Sequence, residues 1–154
     1  MGHGDIDAVL WLFDAVAAER LWIGTEPGYD RQKYRDMLGF SLSNGNGMFV
    51  ADQAGAIVGV VTEYRHDPYG HTIGMLVEAD HRGKGVGAAL LEQLIGWARE
   101  RGIPHLSLLV FPHNERALAL YRKFDFVEID AQAAQIARRS GEAWDAILMR
   151  KTLA

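Results

Sequence analysis

Residues 71–102 read HTIGMLVEADHRGKGVGAALLEQLIGWARERG, and this stretch decides the fold. Its first part, His71 to Glu78, has β-branched residues among apolar neighbours, which predicts a strand. Glycines then alternate with other residues from Arg82 to Gly87 and predict a tight turn. Apolar residues follow at helical spacing up to Gly102, where a left-handed glycine ends the predicted helix.

A strand that leads through a glycine-rich turn into a helix can form an anion site. Glycines let the backbone approach a ligand closely, and the first amide N–H groups of a helix have no intrahelical partner. The positive end of the helix dipole lies at the same place, and Arg82 and Lys84 bring full charges to it. The turn therefore predicts a phosphate site rather than a tightly packed connection alone.

Two common phosphate motifs fit this turn less well. The segment Gly83 to Ala88 formally matches the dinucleotide fingerprint. That fingerprint expects a carboxylate after the next strand, and the predicted strand His105 to Val110 is followed by Phe111-Pro112-His113 instead. A Walker-type P-loop is excluded, since no Gly-Lys pair in this segment is followed by Ser or Thr.

The pattern [RQ]-x-x-G-x-[GA] fits Arg82 to Gly87, and Leu76-Val77 precede it. With Asn114 and Tyr121 downstream, the segment resembles the acetyl-CoA-binding core of the GNAT superfamily of N-acetyltransferases. The resemblance covers most of the chain, from the first helix to the last strand. It implies an α/β (α+β mixed) fold with a central, mostly antiparallel mixed sheet flanked by helices. It also implies transfer of an acetyl group from acetyl-CoA to an amine.

The resemblance assigns the cofactor-binding residues. Members of the family separate the central strand from the next one, and the pantetheine arm of acetyl-CoA lies between them. The backbone of Met75, Leu76 and Val77 is then expected to face the pantetheine, and the Met75 N–H to polarise the thioester carbonyl. The pyrophosphate is expected on the N–H groups of the turn, which are those of Gly83, Lys84, Gly85, Val86 and Gly87, with Arg82 beside them.

For Tyr121 and Asn114, the resemblance implies a functional role, and each residue also has a purely structural interpretation. Tyr121 takes the place of the family's tyrosine acid, which donates a proton to the departing thiolate. The alternative is a tyrosine on an amphipathic helix with its hydroxyl at the surface. Asn114 is expected near the cofactor and also as the N-cap of a helix, and the two roles are compatible.

The general base has two candidates, His71 and Glu63. His71 starts the central strand on the same face as Met75, about 13 Å before it along the strand. That distance leaves room for an acceptor amine and one bridging water, and an unperturbed imidazole has a pKa of about 6.5. We predict His71 in preference to Glu63, which would need a raised pKa or a water chain. The alternative for His71 is a surface residue next to a turn.

The acceptor is expected at the variable loop between the first two helices. Trp22 and Tyr29 could enclose an apolar or cationic group, together with Tyr34. Glu26 and Asp30 favour an amine by their charge. The alternative is ordinary packing of the aromatic residues over the sheet. The sequence does not identify the acceptor.

Composition limits the class of protein. The chain has 154 residues and predicts a single N-acetyltransferase domain over 1–154. A net charge of -4 argues against nucleic-acid partners. The absence of cysteine excludes disulfides, thiolate metal sites and a cysteine nucleophile. No metal-ligand spacing, apolar membrane span or signal peptide is visible, so we expect no metal, no membrane and a cytoplasmic location.

The remaining elements follow from periodicity and from capping residues. The two strands after the second helix are expected to form a hairpin through Gln53-Ala54-Gly55-Ala56, and residues 131–141 are predicted to be either a helix or a loop. The predicted helices run from Asp5 or Asp7 to about Arg20, over Asp30 to Leu42, and from the Asn114 cap to about Lys123. The predicted strands outside 71–110 are Met48 to Asp52, Ile57 to Arg65, Asp125 to Ile129 and Ala143 to Lys151.

Two features depart from the family. Only four residues precede Asp5, so the family's first strand is expected to be missing or vestigial. The Met48 strand then becomes a sheet edge, and a homodimer is expected to cover it. Asp125 stands where the family favours glycine, and a different end of the preceding helix is expected.

The function predicted is acetyl-CoA-dependent N-acetylation of a primary amine, on a small molecule. One alternative is acetylation of a protein N-terminus or lysine. Another is an acyl-CoA-binding module without catalysis. Tyr121 distinguishes the last from the others, because a binding module has no need of an acid there.

Overall fold

A computed structural model describes residues 1–153 as a mixed α/β structure around one six-stranded sheet, with strand order β1-β2-β3-β4-β6-β5. All neighbouring strands are antiparallel except β3 and β4. The strands are β1 (Met48–Gln53), β2 (Ala56–His66), β3 (Gly70–Val77), β4 (His105–Val110), β5 (Val127–Ala137) and β6 (Ala143–Thr152). The helices are α1 (Ile6–Ala18), α2 (Arg31–Ser43), α3 (Val86–Glu100) and α4 (Glu115–Lys123). None of these helices, all within residues 1–153, is long and apolar enough to cross a membrane.

Helices cover both faces of the sheet. Along β2, Val60 packs against the cluster that contains Leu10 of α1, while its neighbour Val61 packs against the cluster that contains Leu94 of α3. Successive side chains of a strand point to opposite faces, so a strand buried on both faces reads as a continuous apolar run. Burying one such side chain fully contributes roughly 1.5–3 kcal/mol. The predicted fold class is confirmed.

The helix starts follow the capping residues. Asp30 precedes α2, and its Oδ1 accepts a hydrogen bond from the Lys33 N–H at 2.9 Å. Asn114 precedes α4, and its Oδ1 accepts from the Ala117 N–H at 3.3 Å. Each bond satisfies an N–H group that has no partner within its own helix. The N-cap prediction for Asn114 is thereby confirmed.

The parallel pair β3–β4 diverges almost at once. The two strands are paired only at Thr72↔Ser107, although β3 continues to Val77. On its other edge β3 stays paired with β2 along its whole length. The Glu78 N–H donates to the Val58 carbonyl at 2.8 Å. Since backbone groups alternate along a strand, those of Met75 and Val77 point away from β2 into the gap.

The second half of the sheet differs from the sequence prediction at β5. This strand begins at Val127 and runs to Ala137, so the prediction of a helix or a loop over residues 131–141 is wrong for residues 131–137. Its pairing with β6 shifts between Glu128 and Asp130 and again between Asp130 and Ala134. Most of its side chains are exposed. An edge strand with little burial lacks the apolar alternation on which strand prediction depends.

Asp125 adopts a left-handed conformation with φ of 65° and closes α4. The Phe126 N–H donates to the Tyr121 carbonyl and the Asp125 N–H to that of Arg122, both at 3.0 Å. This is the Schellman arrangement usually made with glycine. The expected departure at this helix end was therefore wrong. Aspartate is among the residues that tolerate the left-handed region.

Strand β1 is an edge of the sheet. No strand precedes α1 within the described residues 1–153, as the sequence predicts. The Met1 ammonium donates to the Met48 carbonyl at 3.3 Å and occupies one position on the open side of this strand. A register shift between Ala51 and Asp52 then breaks its ladder. Such irregularities protect an edge from uncontrolled pairing.

Gly59 and Gly96 provide a matched test of the packing between β2 and α3. A Cβ at Gly59 would lie 2.9 Å from Val86 Cγ1 and 3.0 Å from Leu90 Cδ1, whereas at Gly96 it would meet no atom within 4 Å. We expect Gly59→Ala to lower the free energy of unfolding by about 1–3 kcal/mol through overpacking. Gly96→Ala should raise it by up to about 1 kcal/mol, because alanine favours a helix. Urea denaturation measures both, and equal effects would contradict the packing described.

Candidate active site

One large cavity, of about 1020 Å³, passes through the gap between β3 and β4. One side is lined by residues 82–83 and 85–88, the end of β4 and α4. The other side is lined by α1, residues 22–25, α2 and the face of β2 that carries Thr62 and Tyr64. A ligand that lies in the gap is therefore in contact with both sides.

The gap presents backbone groups of β3. The N–H groups of Met75 and Val77 face it, and beyond Thr72 no strand pairs with them. The Val77 carbonyl accepts a hydrogen bond from Arg82 Nε at 2.9 Å. An extended chain with amide groups could add to this edge in the manner of a further strand. The residues present thus fit the pantetheine arm expected from the sequence.

The glycine turn holds an open cradle at the start of α3. Gly83 and Gly85 have φ of 72° and 86°, which favours glycine. A Cβ at either would meet no atom within 4 Å, so the space above the turn is free. At Gly87 a Cβ would lie 2.9 Å from Leu120 Cδ2, so this glycine lets α3 approach α4. The turn fits an anion bound by N–H groups and the helix dipole.

The side chains of Arg82 and Lys84 do not supply the free charges that the sequence suggested. Arg82 donates to both oxygens of Glu19, at 2.8 and 2.6 Å. These hydrogen bonds lower the pKa of the Glu19 carboxyl. Lys84 is exposed and does not line the cavity. The anion cradle is therefore built chiefly from backbone.

Tyr121 lines the cavity and is buried, with 7% of its surface exposed. Its ring centroid lies 5.8 Å from that of Phe126, within the core formed around α3. Burial raises its pKa to about 12. The surface position considered as its alternative is wrong. Asn114, which caps the same helix, also lines the cavity.

Glu63 and His71 form a pair rather than two independent candidates. His71 Nδ1 lies 2.7 Å from Glu63 Oε1, and the second ring nitrogen lies 3.0 Å from Arg65 Nη1. Glu63 is 4% exposed and lines the cavity, while His71 does not. The carboxylate of Glu63 thus lies at the cavity, and the imidazole of His71 lies farther from it. The sequence alone favours His71 as the base.

Of the predicted acceptor residues Trp22, Glu26 and Tyr29, only the first lines the cavity. Trp22 lines the cavity, and its Nε1 donates to Glu19 Oε2 at 2.7 Å. The structure does not bring Glu26 or Tyr29 to the cavity. Glu26 accepts from the Arg139 N–H at 2.8 Å, and the Tyr29 hydroxyl donates to Asp14 at 2.8 Å. Both residues instead hold the loop in place.

Several cavity residues were not identified from the sequence. Thr62, Tyr64 and His66 share one face of β2, and their period-two spacing on this strand is the signal that could have found them. Thr25 also lines the cavity, with its Oγ1 2.8 Å from the Tyr34 hydroxyl. His66 was not singled out, because in the sequence it is one of six histidines spread along the chain.

Arg138 is a buried cation that the sequence gave no reason to expect. It lies 4.1 Å from the Trp144 ring centroid and donates to the Ile23 and Arg20 carbonyls at 3.0 and 3.1 Å. It lies 3.5 Å from Glu26. It therefore attaches the β5–β6 hairpin to the loop beside the cavity. Within residues 1–153 no three potential metal ligands lie together.

The sequence is similar to those of known acetyltransferases. The model of the acetyltransferase (GNAT) family matches residues 13–126. An L-methionine sulfoximine/L-methionine sulfone acetyltransferase of Pseudomonas aeruginosa is 26% identical over 158 residues, covering 99% of this chain and 91% of that protein. The fold and cofactor predicted by resemblance agree with these matches.

Solved structures of acetyltransferases also superpose on this chain. A ribosomal-protein-alanine N-acetyltransferase of Brucella melitensis superposes with a TM-score of 0.86 at 26% identity, covering 99% of this chain and 97% of that chain. A phosphinothricin acetyltransferase of Sinorhizobium meliloti in complex with acetyl-CoA superposes with a TM-score of 0.85 at 18% identity, covering 100% and 86%. At that identity the likeness shows the fold alone.

Gly85 and Gly45 offer a matched pair to test the anion cradle. Both have positive φ and open space around them, but Gly45 lies in the turn between α2 and β1. We expect Gly85→Asp to weaken acetyl-CoA binding roughly 100-fold or more, since it places a negative charge in an anion site. Gly45→Asp, with similar backbone strain, should leave the affinity unchanged. Calorimetry that finds equal affinity in the two variants would contradict the assignment.

Proposed function

The chain belongs to the GNAT family of acetyltransferases, and on that premise we propose that it transfers the acetyl group of acetyl-CoA directly to the primary amine of a small molecule. The observation that carries the proposal is the cavity in which the β3 edge, the glycine turn and the buried Tyr121 meet. The first two hold the donor and the third can supply a proton. A direct transfer needs all three together.

The chemistry consists of one bond exchange. The amine nitrogen attacks the thioester carbonyl carbon, a C–N bond forms and the C–S bond breaks, so the amine loses a proton and the thiolate gains one. We place the Met75 N–H at the carbonyl oxygen, where a donor stabilises the developing negative charge. Its direction into the gap supports this role.

Tyr121 is the general acid in this proposal. The pKa of about 12 keeps the phenol protonated at neutral pH, so its proton is present when the thiolate leaves. A free thiol has a pKa near 8.5, well below that of the phenol. The transfer to thiolate is therefore uphill, and the phenolate that it leaves takes up a proton from solvent. The amine proton needs a separate base.

We place that base at the Glu63–His71 pair. Glu63 pairs across the sheet with Ile73, which lines the cavity, and its side chain lies on the same sheet face as Met75. A carboxylate there can accept the amine proton through one water. His71 lies behind it and is partly exposed, which provides a route for the proton to solvent. In this arrangement His71 acts through Glu63.

A protein N-terminus is the second candidate acceptor. The Brucella melitensis structure, named for ribosomal-protein alanine, supports it, while the relative named for methionine sulfoximine supports a small molecule. Thiol release with acetyl-CoA and a panel of small amines, peptides and lysine derivatives decides between them. A protein that binds acetyl-CoA and acetylates none would be a binding module.

Other features remain predictions. One domain over residues 1–154, a cytoplasmic location and the absence of nucleic-acid or membrane partners were expected from composition. A homodimer through the β1 edge is also a prediction, because a single chain does not show what pairs with that edge.

Tyr121→Phe tests the acid. Phenylalanine preserves the packing and removes the proton, so turnover should fall about 10²–10⁴-fold while acetyl-CoA affinity stays the same. The control Tyr29→Phe removes a hydroxyl outside the cavity and should keep turnover. In the unaltered enzyme, turnover should not fall between pH 8 and 10, because the phenol loses its proton only near its pKa of about 12. A falling limb centred near 10, the ordinary tyrosine value, would contradict the burial argument.

The pH dependence of kcat/KM tests the base. Glu63→Gln should remove the rising limb and lower kcat/KM about 10²–10⁴-fold. His71→Gln keeps a donor towards Glu63, so it should move the limb and reduce the rate less. If the limb persists in Glu63→Gln and disappears in His71→Gln, the base is His71, as the sequence suggested. A limb unchanged in both variants would leave water in that role.

A further inference from the structure

The charges that line the cavity are divided between its two sides. Arg82, Arg116 and Lys123 line the side formed by the glycine turn and α4, where the phosphates of acetyl-CoA are expected. On the opposite side, among the described residues, the lining contains no arginine or lysine. It consists of aliphatic residues and of aromatic and hydroxyl groups, with Phe13, Thr25, Tyr34, Ser41, Thr62 and Tyr64 among them.

Two arginines that contact residues at the end of α1 or in the loop after it are already engaged. Arg82 is held by both oxygens of Glu19, at 2.8 and 2.6 Å. Arg138 lies under the loop, donates to the carbonyls of Ile23 and Arg20, and does not line the cavity. Neither can turn to a new anion without losing short hydrogen bonds. The lining side chains there that could become cationic are His66 and His113, whose ring lies 6.0 Å from that of Trp22 and whose Nε2 is engaged with the Leu21 carbonyl.

We propose that the acceptor is a primary amine with an apolar or aromatic body and without a carboxylate group. This inference rests on the proposed function and specifies its substrate class. An acceptor carboxylate on this side would lose its water without gaining a counter-charge, and such desolvation is not compensated. An amino acid carries that carboxylate next to its amine, so it cannot keep the carboxylate in solvent while the nitrogen reaches the thioester.

The same side is suited to an ammonium group on an apolar body. Tyr34 packs edge-on against Phe13 with ring centroids 5.4 Å apart, and Tyr64 faces the cavity from β2. Burial raises the pKa of Tyr64, so its ring stays neutral. Aromatic faces attract cations and accept apolar groups equally. Glu63, whose side chain lies on the other face of the sheet together with that of Met75, supplies the one carboxylate among the lining residues that belong to the sheet.

His66 adds a polar contact to this surface. Its Nδ1 is buried and has no hydrogen-bond partner among the described residues. Its ring lies against Tyr64 and Tyr69, with centroids 6.0 and 5.3 Å away. A neutral imidazole nitrogen accepts a hydrogen bond, and an ammonium or hydroxyl group of the acceptor can donate one. A carboxylate would find a counter-charge in this residue only if the ring were protonated.

Matched acceptors test the proposal on the unaltered protein. Phenethylamine is compared with L-phenylalanine, and 3-(methylthio)propylamine with L-methionine, each pair differing only in the carboxylate. Thiol release at saturating acetyl-CoA gives kcat/KM, and mass spectrometry identifies the product. In each pair we expect the amine to be preferred by about 100-fold or more, as the burial of an unpaired charge requires. Equal or better use of the amino acids, with L-methionine sulfone as a further probe, would overturn the proposal.

The results of the acceptor assays test the acceptor class and the proposed acetyltransferase function separately. Acetylated amino acids would keep the small-molecule acetyltransferase and refute the acceptor class. Acetylation of an alanine-initiated peptide alone would refute both the small-molecule function and the acceptor class. Bound acetyl-CoA without thiol release from any amine would do the same.

A variant that adds the missing charge provides a second test. Ser41 on α2 lines the cavity, whereas Gln32 on the same helix does not. Ser41→Arg should lower the preference for phenethylamine over L-phenylalanine by about tenfold or more, because a carboxylate then finds a counter-charge. Gln32→Arg adds the same charge elsewhere and should leave the preference unchanged. Equal preferences in both variants would show that the missing cation does not determine acceptor choice.

Discussion

The divergence of β3 from β4 is the constraint on which the rest of the site depends. A parallel pair that stayed together would satisfy the backbone groups of Met75 and Val77 within the sheet. Because pairing stops at Thr72↔Ser107, these groups are left to a ligand, and the sheet gains an opening from one face to the other. Donor and acceptor can then approach from opposite sides and meet at the carbonyl carbon, which is what a direct transfer needs.

An opening of this kind has to be held apart, and the Arg82–Glu19 pair contributes to that. Arg82 joins the Val77 carbonyl at the end of β3 to Glu19 at the end of α1, and Glu19 in turn accepts from Trp22. The three contacts link the cofactor side to the start of the acceptor loop. Arg138 links the far end of that loop to the β5–β6 hairpin. Both cations thus serve the shape of the cavity more than its charge.

The fold and the cofactor cradle could be predicted because their determinants are local in sequence. Alternation, helical period and glycine spacing within residues 71–102 fix strand, turn and helix together, and Asn114 identifies its helix start. Side-chain partnerships between distant segments could not be predicted. No residue near Arg82 in the sequence indicates its hydrogen bonds to Glu19, which is 63 residues away. The contact between Glu26 and Arg139 is likewise not indicated by neighbouring residues. Strand β5 was incomplete for another reason, since an exposed edge carries no burial pattern.

The same distinction explains why the candidate base changed from His71 to a pair. Position along β3 indicates which strand face His71 occupies, but not that Glu63 fills the space between it and the cavity. His71 Nδ1 lies 2.7 Å from Glu63 Oε1, so a substitution of either residue removes a contact of the other. The general base is therefore better assigned to the Glu63–His71 pair than to either residue alone. In the mechanism that we propose, the proton leaves the amine through the buried carboxylate of Glu63 and reaches solvent through the partly exposed imidazole of His71, so the difference in burial gives the path its direction.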